Sequence, residues 1–172
     1  MKKVALVVVL FALTLGLSAQ NLIDFGSLPS VNTPTPVPII GNYHWGGIYY
    51  VNPWLWPAAG PGFKHQEFIR NFDVAFIPYT CVNAICAGSI SSSTPFVLRF
   101  AHIAAGYPWP TPSQLFVIAY NNGKYVGSIT YNTTTQVQQI VFPAEWGAVT
   151  QVMFQGDVVF FDLNVEGPTP RM

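Results

Sequence analysis

Seven carboxylates and three imidazoles are the side chains this chain of 172 residues offers for proton transfer. Asp24, Glu67, Asp73, Glu145, Asp157, Asp162 and Glu166 are spread along the sequence. A glycosidase needs two of them facing each other across a cleft, and the spacing singles out no such pair. Glu145 sits beside Trp146 in FPAEWGAV, a pattern that fits an acid next to a sugar platform but fits a plain loop tip better. His44, His65 and His102 lack the H-E-x-x-H or Cys/His spacing of a zinc site, and no G-x-S-x-G elbow is present. A satisfied structural role is the expectation for each histidine.

The aromatic side chains are denser. Tyr43, Trp45, Tyr49, Tyr50, Trp54 and Trp56 fall within NYHWGGIYYVNPWLWP. Sugar rings present C–H faces that pack on Tyr and Trp, so exposed aromatics in a concave site suit polysaccharide. Core packing is expected for Trp45 and for one of Tyr49 or Tyr50, because adjacent strand residues face opposite sides. Trp54 and Trp56 lie among Pro53, Pro57 and Gly60, and Trp109 between Pro108 and Pro110, in loops where backbone stays near solvent. Trp54, Trp56, Trp109 and Tyr50 are the candidate ligand contacts; the alternative is that the tryptophans wedge their loops onto the core.

Two short signals concern covalent chemistry. Cys81 and Cys86, in CVNAIC, are the only cysteines, and an even, close pair in an oxidising compartment reads as a disulfide. Closing so short a loop stabilises by only about 2 kcal/mol. A redox or metal pair is the rival, without a second ligand pair to support it. Asn132-Thr133-Thr134 is an N-glycosylation sequon that would put Asn132 on the surface of a eukaryotic product.

The elements that must position these residues follow from pattern. MKKVALVVVLFALTLGLSA has a basic start, an apolar stretch from Val4 to Leu15 and a small-residue exit, which predicts a signal peptide over 1–19 cleaved after Ala19. The apolar run is shorter than the ~20 residues of a spanning helix. The C-terminal EGPTPRM carries no hydrophobic tail, so a secreted, extracellular product free of the membrane after cleavage is expected. One domain over 20–167 and a short tail at 168–172 complete the expected organisation. With 8% charged residues and a formal net charge of zero, the chain has no basic footprint for nucleic acid or anionic lipid. At 51% hydrophobic and 15% aromatic it is built to fold.

β-Branched and aromatic residues recur in short runs punctuated by Gly, Pro, Asn and Ser. Strands are predicted over 22–25, 47–51, 74–77, 89–91, 96–104, 114–120, 125–131, 136–142, 150–154 and 158–165, a spacing that suggests a two-sheet antiparallel β-sandwich. In LFVIAYNNGKYVGSITY, Asn122-Gly123 supplies the positive φ angles of a tight hairpin. Both faces of 115–120 are apolar, which places that strand well inside a sheet, while 133–139, rich in Thr and Gln, should line a solvated face or edge. Val152 and Phe154 share a face suited to the core. The proline-rich stretch 29–38 should run extended over the surface.

The order of LIDFGSLP, NYHWGGIYYVN, GPGF, DVAFIP, SISSSTPFVLRFAHIAAG, FVIAYNNGKYVGSITY and WGAVTQVMFQGDVVFFDLNV resembles secreted jelly-roll domains of fungal extracellular proteins and bacterial PEP-CTERM-type surface proteins. The resemblance spans nearly all of the chain after residue 19. It implies a non-catalytic, carbohydrate-binding-module-like jelly-roll sandwich, often held by calcium between the first and last strands. Asp24 and Asp162 are the calcium candidates that it implies, since the ion prefers hard oxygen ligands. The family-like ending sets an acidic residue directly before a second polar one, whereas here Leu163 separates Asp162 from Asn164.

These readings converge on a secreted binding module whose partner is extracellular or cell-wall polysaccharide. A structural or interaction protein that meets a surface protein is the alternative, and a small glycan-active hydrolase the third.

Overall fold

The computed structural model describes residues 20–56, 73–77, 87–106 and 113–167. The segment 1–19, the tail 168–172, Cys81, Cys86 and Trp109 lie outside the described residues. Among the described residues there are eleven strands: β1 (Gln20–Asp24), β2 (Thr35–Pro36), β3 (His44–Gly46), β4 (Tyr49–Val51), β5 (Val74–Phe76), β6 (Ala87–Ala105), β7 (Ser113–Asn121), β8 (Lys124–Thr133), β9 (Gln138–Val141), β10 (Val149–Gln155) and β11 (Val158–Glu166). Every pairing is antiparallel.

The strands form an all-β sandwich. One layer runs β2-β4-β5-β11-β6-β9 and the other β3-β6-β10-β7-β8. β6 belongs to both: up to Phe96 it pairs with β3 and β10, and from Val97 it pairs with β11. The two strands predicted over 89–91 and 96–104 are therefore one, and the layers are a single hydrogen-bonded surface folded on itself. A strand that switches sheets in this way makes the corner of a sandwich.

Side-chain alternation explains the interior. Leu115, Val117 and Ala119 of β7 are fully buried while Phe116, Ile118 and Tyr120 are half-buried, as expected for a strand with a neighbour on each side. Val152 and Phe154 enter the same core, where the Phe154 ring lies 5.1 Å from Phe160 of the opposite layer and 6.5 Å from Phe142. The β7–β8 hairpin turns through Asn122 at φ 50° and Gly123 at φ 75°, the left-handed pair of a type I′ turn. Within the proline-rich stretch, Thr35–Pro36 adds a short strand at the sheet edge, where a missing N–H is tolerated.

The Thr/Gln segment is mostly exposed and leads into the edge strand β9. Thr133 is the exception: it is buried, and its hydroxyl lies 2.7 Å from that of Ser113, which donates in turn to the Asp157 carbonyl.

Asp157 opens the way to a pH effect. Burial in the β10–β11 turn, where its carboxylate lies against Gly106, pushes its pKa from 3.8 up to about 6. The folded state thus holds this proton more tightly than the unfolded chain does. The associated stability is fully present below about pH 4 and is lost as the pH rises through about 6. With solvent screening at this partly open position, the loss comes to about 1 kcal/mol. Asp157→Asn is expected to flatten the dependence of the urea midpoint on pH between these limits and to raise it at neutral pH.

Candidate functional site

The site begins with an irregularity in β11. Val158, Phe160, Leu163 and Val165 all point into the core, so the two-residue alternation gains one residue between Phe160 and Leu163. The register against β6 shifts at the same place, from Phe160 opposite Ile103 to Asp162 opposite His102. Such a bulge bends a strand and re-aims its side chains. Phe161 and Asp162 consequently both face outward, half-buried, from the same layer.

β1 and β5 share one side of β11 and meet end to end at the bulge. β1 finishes at Asp24, directly opposite Asp162, and β5 pairs with β11 just beyond, at Val159 and Phe160. Each abutting end carries a carboxylate. Asp24 caps the 3-10 turn Phe25–Ser27, its Oδ1 accepting from the Gly26 N–H at 2.9 Å, while Ser27 donates to its carbonyl at 2.6 Å. Asp73 immediately precedes β5, is only 3% exposed, and accepts from Ser30 at 3.2 Å. Burial holds the Asp73 pKa above its ordinary value, against the pull of the hydrogen bonds from Ser30 and Val31.

On the other side of β11, His102 projects beside Asp162. Its Nδ1 lies 2.8 and 2.9 Å from the two Asp162 oxygens, and its backbone N–H donates to Oδ1 at 3.2 Å. The Phe100 ring meets the imidazole edge to face at 5.6 Å. Gln136 and Val137, ahead of β9, close the far end. The result is a cleft of about 650 Å³ crossing the outer face from the β1/β5 break, over β11 and β6, to β9, lined by Asp24, Asp73, Phe161, Asp162, His102 and Gln136 among others.

An aromatic patch adjoins it. Phe161 packs with Tyr49 and Trp56 on the outer cluster of Val51, Val74, Phe76 and Val159, and Trp56 stacks on Phe76 at 6.2 Å. The loop bearing the tryptophans is tied to the cleft by Asn52, whose amide donates to Ser30 Oγ at 3.0 Å, the same hydroxyl that reaches Asp73. Asn52 Oδ1 also accepts from the Trp54 N–H at 3.0 Å, which fixes the turn.

The candidate residues thus separate. Asp24 and Asp162 come together as cross-strand partners. Trp54 is 41% exposed at the loop tip next to exposed Leu55, and Trp56 lies flat against the outer patch. Tyr50 is a correction: at 6% exposure it belongs to the main core, because it alternates with Tyr49 and faces the other layer. Trp45 is half-buried against the core, edge to face with Phe25. Trp146 is buried beside Phe142 and closely covers Gly127, which leaves Glu145 at an exposed turn as expected. Asn132 is exposed on β8, its Oδ1 accepting from Gln114 at 3.3 Å.

The two calcium candidates are already engaged in this arrangement. Both Asp162 oxygens face the His102 ring nitrogen, and one Asp24 oxygen is used as a cap. Among the described residues no group of three His, Cys, Asp or Glu side chains converges on one point. Asp24 and Asp162 by themselves supply fewer than the six to eight oxygens of a calcium shell. Chelator is therefore expected to leave the thermal midpoint unchanged, with a drop of several degrees counting for a structural ion.

His102, Asp73, Phe161 and Gln136 are the cleft residues that sequence reasoning missed. The usable signal was the outward position of His102 between Ala101 and Ile103 on a predicted strand. Comparison with known proteins adds no assignment: no family model matches the chain, and no curated protein does either.

Proposed function

We propose that the protein is a secreted, non-catalytic module that binds extracellular or cell-wall carbohydrate in the cleft over β11. The carrying observation is that carboxylates, an imidazole and an amide line one open groove walled by Phe161, which packs with Trp56 on the adjoining patch. Vicinal hydroxyls hydrogen-bond to such groups while the sugar's C–H face packs on an aromatic ring, the combination that gives a pocket both orientation and affinity. The non-catalytic part of the reading comes from the jelly-roll resemblance, and release of reducing sugar from a glycan by the purified protein would overturn it. The jelly-roll resemblance and the signal-like start agree with secretion and with a glycan ligand. A protein partner is the second reading, favoured by the exposed Trp54 and Leu55 side by side at a loop tip.

Retention of the purified protein on a panel of insoluble and immobilised polysaccharides tests the proposal. The double variant Phe161→Ala, Gln136→Ala is expected to weaken retention about tenfold, while Trp54→Ala leaves it within about twofold. Retention lost only with Trp54, or absent on every glycan, goes against the cleft and favours a protein partner.

A further inference from the structure

We infer that the protein carries a second binding site, a cavity at the corner of the sandwich beside Ser92, and that its ligand is a single uncharged sugar residue. The inference rests on the carbohydrate reading above for its ligand class, and on a different part of the molecule for its observations.

The cavity forms where β6 changes sheets. Gln151 of β10 pairs with Ser91 and Val149 with Phe96, which leaves Ser92–Pro95 without a partner on β10. The alternation that buries Gly88 and Ile90 still carries Ser92 inward, to 8% exposure. A second wall is a tight turn through Gly41 and Asn42. The Ile40 N–H donates to the Tyr43 carbonyl at 3.2 Å and the Tyr43 N–H to the Ile40 carbonyl at 3.0 Å, with Gly41 at φ 59°. Tyr43 is buried and meets Phe96 edge to face at 5.4 Å. Together with Leu22 of β1, these residues line a hollow of about 300 Å³ whose shape is already set by backbone hydrogen bonds and core packing.

Its chemistry differs from that of the cleft. The two linings share no residue, and among the described residues no charged side chain lines this one. Ser92 Oγ accepts from the Thr94 N–H at 3.1 Å, and its own proton has no acceptor among the described residues. Buried polar groups are ordinarily satisfied, so a donor left over on a cavity wall points to an acceptor that enters the cavity. Thr94 adds a second hydroxyl, and Asn42, exposed at the tip of the turn, an amide that both donates and accepts. The remaining walls, from Leu22, Ile40 and Phe96, are apolar. Hydroxyls and one amide on an uncharged lining match a ring that has C–H faces and hydroxyl groups, and they leave a charged sugar unpaired. The volume stands at the lower end for ligand pockets, room for one ring and not for a chain.

Backbone-amide NMR titration tests this with glucose, galactose, mannose and N-acetylglucosamine, against cyclohexanol and galacturonate. At least one neutral sugar is expected to move the Asn42, Ser92 and Thr94 amides to saturation, and galacturonate none of them. Cyclohexanol, which keeps a ring and one hydroxyl, should bind about tenfold more weakly. Ser92→Ala is expected to cost about tenfold in affinity. Asn42→Ala, at an exposed turn tip where the fold does not depend on the side chain, should cost a similar factor. The Phe161→Ala, Gln136→Ala double variant should leave affinity at this cavity within about twofold. Cyclohexanol binding as tightly as the sugar would make the hollow an unselective apolar slot and overturn the inference. So would silence of these amides toward every neutral sugar, or shifts that neither Ser92→Ala nor Asn42→Ala weakens. Retention on the polysaccharide panel with a silent cavity leaves the carbohydrate reading standing, a saturable cavity with a silent panel keeps the second site and removes the cleft, and silence in both overturns both.

Discussion

Phe154→Ala is expected to cost about 3–5 kcal/mol of unfolding free energy, enough to bring a domain of this size close to its threshold. The ring is 1% exposed and bridges the layers, meeting Phe160 at 5.1 Å and Phe142 at 6.5 Å. Its removal forfeits the transfer free energy of an aromatic side chain and leaves a cavity between two hydrogen-bonded sheets that have little freedom to collapse. Equilibrium urea unfolding is the measurement, with a midpoint shift far larger than the pH effect assigned to Asp157. Phe154→Leu, which keeps most of the volume, should recover much of the loss. A midpoint unchanged by Phe154→Ala would mean that the layers are not packed on this ring.

Gly156→Ala is expected to destabilise by about 2–3 kcal/mol through the backbone. Gly156 stands at φ 141°, where L side chains are rarely found, and a Cβ there would run into the carbonyl oxygen of Gln114. The clash falls where Gln155 pairs with Phe116, so relief requires β10 to move away from β7. Gly123→Ala is the informative contrast: its φ of 75° is also left-handed, but a Cβ meets nothing within 4 Å. About 1 kcal/mol is expected for it. Similar losses at the two positions would show that backbone conformation, and not the contact with Gln114, dominates.

Much of this fold was legible because alternation is local. Leu115 to Tyr120 declare two apolar faces within six residues, and Asn122-Gly123 declares the turn that follows. What stayed hidden depends on partners far away in sequence. The continuity of β6 through Ser92 to Pro95 is set by which strands flank it on each side of the corner, and those polar residues in isolation read as a break. The bulge at Phe161 is invisible without His102 as the register mark. Tyr50 and Tyr49 are interchangeable on paper, and only the layer order decides which one is buried.

The cleft was less legible than the strands. Asp24 and Asp162 could be named through a resemblance, yet what they do is governed by residues the sequence places elsewhere. Asp73 reaches the same spot because β1 and β5 abut on β11, and His102 because β6 lies on the opposite side. Loop tryptophans drew notice by their composition, whereas the groove forms on strands whose outward residues are unremarkable one at a time.

The position of β11 has a consequence for how the chain acquires this shape. It is the strand onto which β1, β5 and β6 all assemble, and it follows every one of them in sequence. Its hydrogen bonds to β1 close a loop of more than a hundred residues, the kind of distant pairing that slows folding. The hairpin of β7 and β8 can form as soon as it emerges, but the layer that bears the cleft must wait with its edges open. The pairing of β11 with β1, β5 and β6 therefore cannot be completed until nearly the whole described chain is present. The cleft is complete only once β11 lies between β1 and β6.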